Sequence, residues 1–463
     1  MSNRNDLSDH GALVERARFA HSPRRLAASI GFMLLLGQAR GMDLQQIYDA
    51  AWQQDATLRA ARATAAAGRE RLPQARAQQL PSIAASIGRN MNDLSSTTPN
   101  AVGVKQTIDT RYPSSNETLT LRQPLFRPVL SAQVKQAQAQ VEDTEAALRL
   151  EEQTFAARLA VAYFEAALTK EQLELVTTQK AAYQQQLDAS RKSFAAGAGT
   201  RTDIDEAQAR LDITLAQEIE ARQNRRYTLQ QLEVLVNQNV DEVASINAAR
   251  LELNPPAPND INHWTLRAEL RSPQLQSLTA QLEVARQEVE KANAGHYPTL
   301  DAVAQWSRSS SENVTNFRNK YTNTTLGLQL GIPIFSGGLV QSQVRQALAL
   351  QERAEQTLEA ARRDLGLRVF KEYRGVAEGV PKIKALEQSL RSSEQLVLSS
   401  KKSFQAGSRT VLDILNAEQQ RSVVQRDLAQ ARYVYLISSI RLLALTGDAD
   451  ASMIASINAA LKP

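Results

Sequence analysis

Residues 193–203 read SFAAGAGTRTD and residues 403–413 read SFQAGSRTVLD, so one turn-like segment occurs twice at a constant offset of 210. Each copy has a glycine three residues after a phenylalanine and ends in Thr-x-x-Asp. Further upstream, Pro-Leu-Phe at 124–126 matches Pro-Ile-Phe at 333–335, and Leu-Pro-Ser-Ile at 80–83 matches Tyr-Pro-Thr-Leu at 297–300. A duplication on this scale predicts two structurally equivalent halves rather than a short solenoid repeat.

Both halves follow one predicted plan of a helix, a pair of strands and two long helices. Polar segments rich in Ser, Thr and Asn, at 92–116 and 309–323, are predicted to be loops between the paired strands. The predicted bounds are a signal peptide 1–39; a first repeat 40–258 with strand pair 81–90/117–126, long helices 129–196 and 202–237 and linker 238–258; and a second repeat 259–463 with strand pair 298–308/324–335, long helices 338–406 and 410–446 and a C-terminal tail.

Composition points to long helices and excludes thiol chemistry. Aromatic residues make up 5% of the 463 residues, and residues 129–240 are mostly Ala, Gln, Glu, Arg and Leu, a bias typical of coiled coils. The chain has no cysteine, which excludes a disulfide, a thiol nucleophile, a cysteine metal site and a lipidated N-terminal cysteine. The only histidines after residue 39 are His263 and His296, which are isolated from each other in sequence.

The N-terminus predicts secretion. Arg24 and Arg25 precede an apolar run at 26–36, and small residues follow at Gly37 and Ala39, as in a cleaved signal peptide. The alternative is a membrane anchor, but an apolar run this short cannot span a bilayer. Residues 1–41 carry +3 of the net charge of +5, which leaves about +2 for the rest of the chain, so the charge does not indicate nucleic-acid binding.

The predicted strands alternate apolar and polar residues. In the last strand Leu326, Leu328 and Leu330 alternate with Thr325 and Gln329. This pattern fits a membrane β-strand with lipid on one side and water on the other, and it fits a half-buried strand of a soluble sandwich equally well. Four strands cannot close a barrel, so strands that span a membrane would require the chain to oligomerise.

The longest predicted helix carries a seven-residue repeat. Val134, Val141, Leu148, Phe155 and Ala162 recur at this spacing, which imposes a left-handed supercoil. A helix of 129–196 would be ~100 Å long. That length suits a tube across an aqueous space, and a solvated coiled-coil rod remains the alternative.

These features together resemble the TolC family of outer-membrane channels. The paired turn segments carry the resemblance, and Ala162-Tyr-Phe164 and the stretch 429–436 also match. The resemblance implies a mainly α fold with a small β part, in which three chains contribute four strands each to a 12-stranded transmembrane β-barrel and their coiled-coil helices form a periplasmic α-barrel. It also implies a homotrimer in the bacterial outer membrane, in contact with lipid and extending into the periplasm, with no enzymatic activity, no cofactor, no metal and no nucleic-acid partner.

The resemblance assigns candidate residues to the periplasmic entrance of the tube. Carboxylates there would concentrate cations in a narrow pore. The alternative, drawn from the residues themselves, is that Thr200-x-x-Asp203 and Thr410-x-x-Asp413 are helix-capping boxes. The pore residues at matching positions are Asp203, Asp413 and Asn416, the last in place of the family's aspartate, and Asp205 and Glu206 in the first half would supply further charge. The implied latch residues are Arg409, Thr202 and Phe404, the last in place of a tyrosine. The turn glycines are Gly197, Gly199 and Gly407.

Arg409 is the residue for which we predict a specific contact. We expect it to bond to Thr202 or Asp203 of an adjacent helical pair. Phe404 cannot donate the hydroxyl hydrogen bond that the family's tyrosine makes.

Three functions compete, and the absence of a lipidated cysteine together with the Gly-Ala-Gly turn at 197–199 resembles the first of them more closely. The first is an outer-membrane channel for type I secretion of a protein such as an RTX-type toxin or protease, with a periplasmic membrane-fusion adaptor and an inner-membrane ABC exporter as partners. The second is a duct for multidrug efflux by an efflux pump. The third is a soluble periplasmic coiled-coil adaptor, which would not need four amphipathic strands. The sequence contains no phosphate-binding loop, zinc-protease or nucleophile-elbow motif.

Overall fold

The computed structural model describes residues 42–247, 250–312, 318–459 and 461, so the predicted signal peptide lies outside the described residues. Two equivalent series of elements follow each other along the chain, as the repeat predicted. The elements are α1 Leu44–Gln54, α2 Ala56–Arg69, α3 Arg71–Ala77, β1 Ser82–Pro99, β2 Lys105–Phe126, α4 Pro128–Ala195, α5 Arg201–Val236, α6 Ile261–Arg271, α7 Pro273–Asn293, β3 Thr299–Glu312, β4 Arg318–Gly331, α8 Leu339–Gln405, α9 Val411–Leu445 and α10 Ala451–Asn458, with a 3-10 turn at Ala294–His296.

The first helix of each half is broken at an equivalent residue. Asp55 separates α1 from α2 with φ −59° and ψ 121°, and Ser272 separates α6 from α7 with φ −60° and ψ 117°. Asp55 caps α2 by accepting a hydrogen bond of 2.7 Å from the backbone N–H of Leu58. Ser272 precedes Pro273, whose ring disfavours the helical conformation of the residue before it.

The four strands form one antiparallel sheet in the order β1-β2-β3-β4. Its register places the alternating residues of all four strands on common faces. Leu121 lies opposite both Ile83 and Ala304, and Ala304 lies opposite Leu326, which gives one apolar face. The other face carries polar and small residues, so the predicted alternation is confirmed. Among the described residues, no helix has the length and apolar character needed to cross a membrane.

The prediction of polar loops at 92–116 and 309–323 was wrong for 92–99, 105–116, 309–312 and 318–323, which lie in strands. β1 and β2 pair continuously, from Ser82 opposite Arg122 to Pro99 opposite Lys105, which leaves only a short turn between them. The strand ladder is held by backbone hydrogen bonds, so polar side chains that face water on both sides do not interrupt it. In the second half, β4 ends at Gly331 rather than at 335, and the sheet register of β3 and β4 reaches Glu312 and Arg318.

The long helices pack through small residues. Ala132, Ala139 and Ala146 of α4 are buried at seven-residue intervals, whereas Val134 and Val141 are only half-buried. α4 contacts α2, α3, α5, α7 and α9. The alanine series lets the neighbouring backbones approach closely.

The main core lies midway along α4, where the short helices and the linker pack around it. Phe155, Leu159, Tyr163 and Phe164 are fully buried there. They pack in one cluster with side chains from α1, α5, α8, α9 and α10.

Tyrosine hydroxyls fix the linker 238–258 to this core. The Tyr163 hydroxyl donates to the carbonyl oxygen of Ala244 at 3.2 Å, and the Tyr435 hydroxyl donates to that of Asn254 at 2.9 Å. The backbone N–H groups of Ala244 and Asn254 donate to the same two hydroxyls in return. Such pairing satisfies backbone groups that an irregular segment would otherwise leave without partners.

Candidate functional site at the hairpin turns

Each half ends in a helical hairpin whose turn is built around a glycine. Gly197 follows α4 with φ +73°, and Gly407 follows α8 with φ +75°. Beside them, the N–H of Ala198 donates to the Ser193 carbonyl at 2.9 Å, and the N–H of Ser408 donates to that of Ser403 at 2.9 Å. This is the Schellman arrangement that ends a helix, and it requires a left-handed residue.

Gly199 has a different role from the other turn glycines. A Cβ at this position would lie 3.1 Å from the backbone nitrogen of Phe194. The first turn therefore needs Gly199 for its close backbone approach, whereas the second turn has no glycine there.

The capping alternative for the two aspartates is confirmed. Asp203 accepts hydrogen bonds from the backbone N–H of Thr200 at 2.9 Å and from its hydroxyl at 2.7 Å. Asp413 accepts from the N–H and the hydroxyl of Thr410, both at 2.9 Å. Both boxes are reciprocal, because each threonine hydroxyl also accepts from the backbone N–H of its aspartate. Hydrogen bonds from the Thr410 backbone and hydroxyl lower the pKa of Asp413, so this carboxylate stays ionised.

The remaining pore candidates have different surroundings. Asp205 is exposed and accepts from Arg201 Nε at 3.2 Å, one helical turn away. Glu206 is half-buried one residue further along α5. Asn416 is exposed, and its Oδ1 accepts from Arg210 Nη2 at 3.0 Å, which joins α9 to α5.

The latch candidates do not meet within this chain. Arg409 Nη1 donates to the hydroxyl of the buried Ser400 at 2.9 Å, inside its own hairpin. Thr202 is exposed, and Phe404 is 37% exposed. A contact from Arg409 to Thr202 or Asp203 of a neighbouring copy stays a prediction.

A small apolar cluster joins the two hairpins near their turns. It is separate from the main core and brings α9 against α4 and α5. Tyr183 extends it, because its hydroxyl donates to Gln419 Oε1 at 3.0 Å. The cluster consists of Tyr183, Leu187, Ala207, Leu211, Val411 and Leu415.

Sequence reasoning missed the buried glutamates that fasten each hairpin. Glu218 of α5 accepts from Lys180 of α4 at 2.6 Å and from Arg222 at 2.6 Å. Glu418 of α9 accepts from Lys401 of α8 at 2.8 Å. The i,i+4 spacing of Glu218 and Arg222 was a signal that could have found the first of these. The hydrogen bond from Lys180 is the main cause that lowers the pKa of Glu218.

The turns carry charged side chains that can interact electrostatically with ions or with a partner. Carboxylates and arginines both lie near them, and no group of three or more His, Asp or Glu in the described segments could hold a metal ion. A repeated set of ionised carboxylates around a narrow opening attracts cations.

Comparison with known proteins gives consistent matches over nearly the whole chain. Residues 47–238 and 264–448 match the family described as outer membrane efflux protein. The chain is 34% identical to the alkaline protease secretion protein AprF of Pseudomonas aeruginosa, over 92% of this chain and 89% of that protein. It is 31% identical to the proteases secretion protein PrtF of Dickeya chrysanthemi, over 90% of this chain and 91% of that protein.

A solved structure has the same fold. The outer membrane protein VceC of Vibrio cholerae superposes with a TM-score of 0.75 at 20% identity, over 87% of this chain and 96% of that one. At this level of identity the likeness concerns the fold alone.

Proposed function

The chain belongs to the outer membrane efflux protein family, and we propose that it forms the outer-membrane duct of a type I protein secretion system. As a member of this family it is an export channel of the outer membrane that extends into the periplasm. Proteins of this family are transport channels. The finer assignments concern its cargo, its partners and its assembly.

The observation that carries the secretion assignment is the full-length likeness to two protease-secretion proteins. Both relatives match at 31% identity or more across nine-tenths of this chain. The match includes both hairpins and both strand pairs, so it does not depend on one shared domain. The cargo class we propose is a secreted protein such as a protease.

The assembly we propose is a homotrimer. β1 and β4 are the free edges of the four-stranded sheet, and open edges are not tolerated in a bilayer. At the helical level, α5 carries exposed Ile219 and Tyr227, and α8 carries exposed Leu367 and Phe370. Three copies arranged head to tail would cover both sets of surfaces in a closed ring.

The partners we propose are a periplasmic membrane-fusion adaptor and an inner-membrane ABC exporter. The support is the exposed pair of hairpin turns, which lie at the end of the long helices away from the sheet. A Cβ added at Gly197 or at Gly407 would meet no atom within 4 Å, so both turns are open to a partner. Asp203 and Asp413 would line the entrance that such a partner opens.

The experiment is gene deletion with two readouts on one strain. Secreted proteins are compared by mass spectrometry of culture supernatants, and drug susceptibility is measured in parallel. We expect loss of one or a few large secreted proteins with unchanged susceptibility, and restoration by the wild-type gene. An unchanged supernatant would contradict the secretion assignment.

Small-molecule efflux is the second candidate, and the family description favours it. In that case the deletion strain would keep its supernatant proteins and become drug-sensitive. A soluble adaptor is the third, and the apolar face of the sheet argues against it, because exposed Leu326 and Ile87 would face water. Fractionation with outer membranes separates the two channel functions from the adaptor.

A further inference from the structure

One face of the long helices carries a cavity of about 870 Å³, roughly midway along α4 and α8. The opposite face of α4 packs in the main core, where Leu159 and Tyr163 are fully buried. Thr154 and Val161 line the cavity and lie half a turn around the helix from those core residues, because one turn takes 3.6 residues. In the proposed closed ring, this uncovered face would line the duct.

The walls of the cavity are mainly apolar, and they come from five helices. Binding sites are typically concave and apolar, with a few polar groups that fix the orientation of the ligand. Walls of this kind favour a ligand that buries apolar surface against them. The apolar side chains include Leu150 and Val161 of α4, Leu235 of α5, Pro273 of α7, Leu365 of α8 and Leu445 of α9.

One carboxylate on these walls is buried without a partner. Glu372 of α8 lines the cavity and is only 7% exposed. No hydrogen bond or ion pair joins it to another residue in the described part of the chain. Its repeat equivalent, Ala162 of α4, lines the same cavity and carries no charge. The carboxylate is therefore a feature of the second half alone and not a consequence of the repeat.

The other buried carboxylates of the described ranges all have cationic partners. Asp55 pairs with Arg158, Glu218 with Lys180, Asp301 with Arg127, and Glu418 with Lys401. Removing a carboxylate from water is costly unless a cation or a hydrogen-bond donor takes the place of the water. Glu372 is thus the buried carboxylate whose partner must come from outside these residues.

Two of the cations on the cavity walls are already engaged with other carboxylates. Arg158 lies 3.4 Å from a carboxylate oxygen of Asp55 and 3.4 Å from one of Glu151. Arg368 Nε lies 2.9 Å from Asp364 Oδ2. Neither guanidinium group is therefore available to neutralise the unpaired carboxylate.

The remaining charged groups on the walls are exposed to solvent. They are Lys371, Arg441 and Glu165. Water and salt screen such charges, and long side chains can turn them away from a ligand. The fixed electrostatic demand of the cavity therefore comes from Glu372, and it is a demand for a positive group that donates hydrogen bonds.

We infer that the cavity binds a segment of polypeptide in transit, through a basic side chain that pairs with Glu372. The apolar side chains on either side of that basic residue contact the walls. An unfolded chain offers this chemistry wherever a lysine or arginine lies between apolar residues. The inference rests on the proposed function, and it adds a binding site within the duct and the class of segment that the site selects.

The test is isothermal titration of the purified full-length protein with short peptides. The probe is a capped Ala-Leu-Lys-Leu-Ala peptide, and its controls carry acetyl-lysine or glutamate in place of the lysine. We expect the lysine peptide to bind and the acetyl-lysine peptide to bind about tenfold more weakly or less, because a charge-assisted hydrogen bond is lost. Equal binding of these two peptides, tighter binding of the glutamate peptide, or no binding of the lysine peptide would overturn the inference.

Variants locate the interaction in the cavity. Glu372→Gln keeps the shape of the side chain and should weaken the lysine peptide about tenfold. Glu165→Gln removes an exposed carboxylate from the same walls and should leave the affinity unchanged. Val161→Phe should weaken binding by filling the cavity, and Lys371→Gln should strengthen it by removing a like charge. Wild-type affinity in Glu372→Gln would contradict the assignment, and circular dichroism checks that each variant folds.

A free amine tests whether the ligand must be a polypeptide. Pentylamine carries the ammonium group on an apolar chain without a peptide backbone, and we expect it to bind at least about tenfold more weakly than the lysine peptide, because it contacts less of the walls. Pentylamine that binds as tightly as the peptide would assign the cavity to small amines and overturn the polypeptide as its occupant.

The export assay distinguishes this inference from the proposed function. A lysine peptide that fails to bind, in a protein whose deletion abolishes secretion, would overturn the site and leave the duct assignment intact. Binding that depends on Glu372, in a protein whose deletion leaves the supernatant unchanged, would support recognition of cationic segments at this cavity and contradict the cargo assignment.

Discussion

Asp413 has a structural role in the capping box and a proposed functional role at the entrance of the channel. Its carboxylate completes the capping box with Thr410, and its pKa is lowered by the hydrogen bonds that it accepts there. Thr410 donates to Oδ2 alone, and we propose that the other carboxylate oxygen acts on ions at the entrance. In the first half, Asp203 completes the equivalent box with Thr200.

We expect mutations to distinguish the capping role of this site from its proposed role in the pore. Asp413→Asn, combined with Asp203→Asn, should reduce the cation preference of single channels in planar bilayers, because it removes the charge from the entrance. Thr410→Ala should cost about 1 kcal/mol of helix stability through loss of the cap, while it leaves the charge and the ion preference in place. Equal ion selectivity in the aspartate variant and the wild type would contradict the pore role.

Glu218 gives the structure an acid-sensitive contact between α4 and α5. Its pKa is lowered chiefly by the hydrogen bond from Lys180, so the folded state favours the ionised form. Stability from this contact is fully present above the unfolded pKa of about 4.3 and is lost as the pH falls through the lower folded value.

We therefore expect acid to loosen α5 below about pH 4.3. Hydrogen exchange of its amides, corrected for the intrinsic pH dependence of exchange, should accelerate there. Glu218→Gln should show faster exchange already at neutral pH, and Glu220→Gln, at an exposed position on the same helix, should behave like the wild type. Identical pH profiles for Glu218→Gln and the wild type would rule out this contact as the cause.

At the scale of elements, the sequence predicted the helices more closely than the strands. The long helices start and end at strong local signals, such as Pro128 at the first turn of α4 and Gly197 after its last. The strand ends carry no such signal, because polar residues such as those of 92–99 look like a loop and yet pair with β2. Contacts between hairpins, such as Arg210 with Asn416, depend on packing that no local pattern encodes.

Two glycines set the close approach of α8 and α9. A Cβ at Gly375 would lie 2.5 Å from the hydroxyl oxygen of Ser438, and one at Gly379 would lie 3.2 Å from Tyr435 Cδ2. The spacing of these glycines places both on one face of α8. Side chains of α9 therefore pack directly on the α8 backbone at these two glycines.

Gly375→Ala should destabilise this pair of helices by about 1–3 kcal/mol, the usual cost of overpacking. The measurement is the temperature at which the purified protein loses its helical circular dichroism. Gly366→Ala lies on the same helix with nothing within 4 Å and should be neutral or stabilising. Ser438→Gly should rescue Gly375→Ala, and failure of this rescue would show that the clash lies elsewhere.

At the scale of the whole molecule, the proposed trimer would place β4 of one copy beside β1 of the next at a seam between copies. The repeat makes the contact of β2 with β3 within one chain the template for that seam. One contact has no counterpart across the seam. Asp301 of β3 is 2% exposed and accepts from Arg127 at 2.7 Å and from Arg122 at 2.6 Å, which fastens β3 to the start of α4. The repeat equivalents of these three residues are Ala84, Ser336 and Gly331, which cannot form an ion pair.

In the proposed trimer we therefore expect the seam between copies to be weaker than the contact of β2 with β3, and we expect transfer of the missing pair to strengthen it. Ala84→Asp with Ser336→Arg should place a carboxylate and a guanidinium where Asp301 and Arg127 lie in the template. Hydrogen bonds between charged groups contribute about 1.5–3 kcal/mol each, and the new pair would occur at all three seams of a trimer. We expect the double variant to raise the temperature at which the trimer dissociates in detergent.

The single variants are the controls for this last expectation. Ala84→Asp alone should lower the dissociation temperature, because it places a carboxylate at the seam without a partner. Ser336→Arg alone should change it little, since a long side chain at the end of the strand can turn its charge toward water. If the trimer of the double variant dissociates at a temperature no higher than that of Ala84→Asp, the two positions do not meet across the seam. β4 then does not pair with β1 of the next copy in the register that β2 adopts with β3.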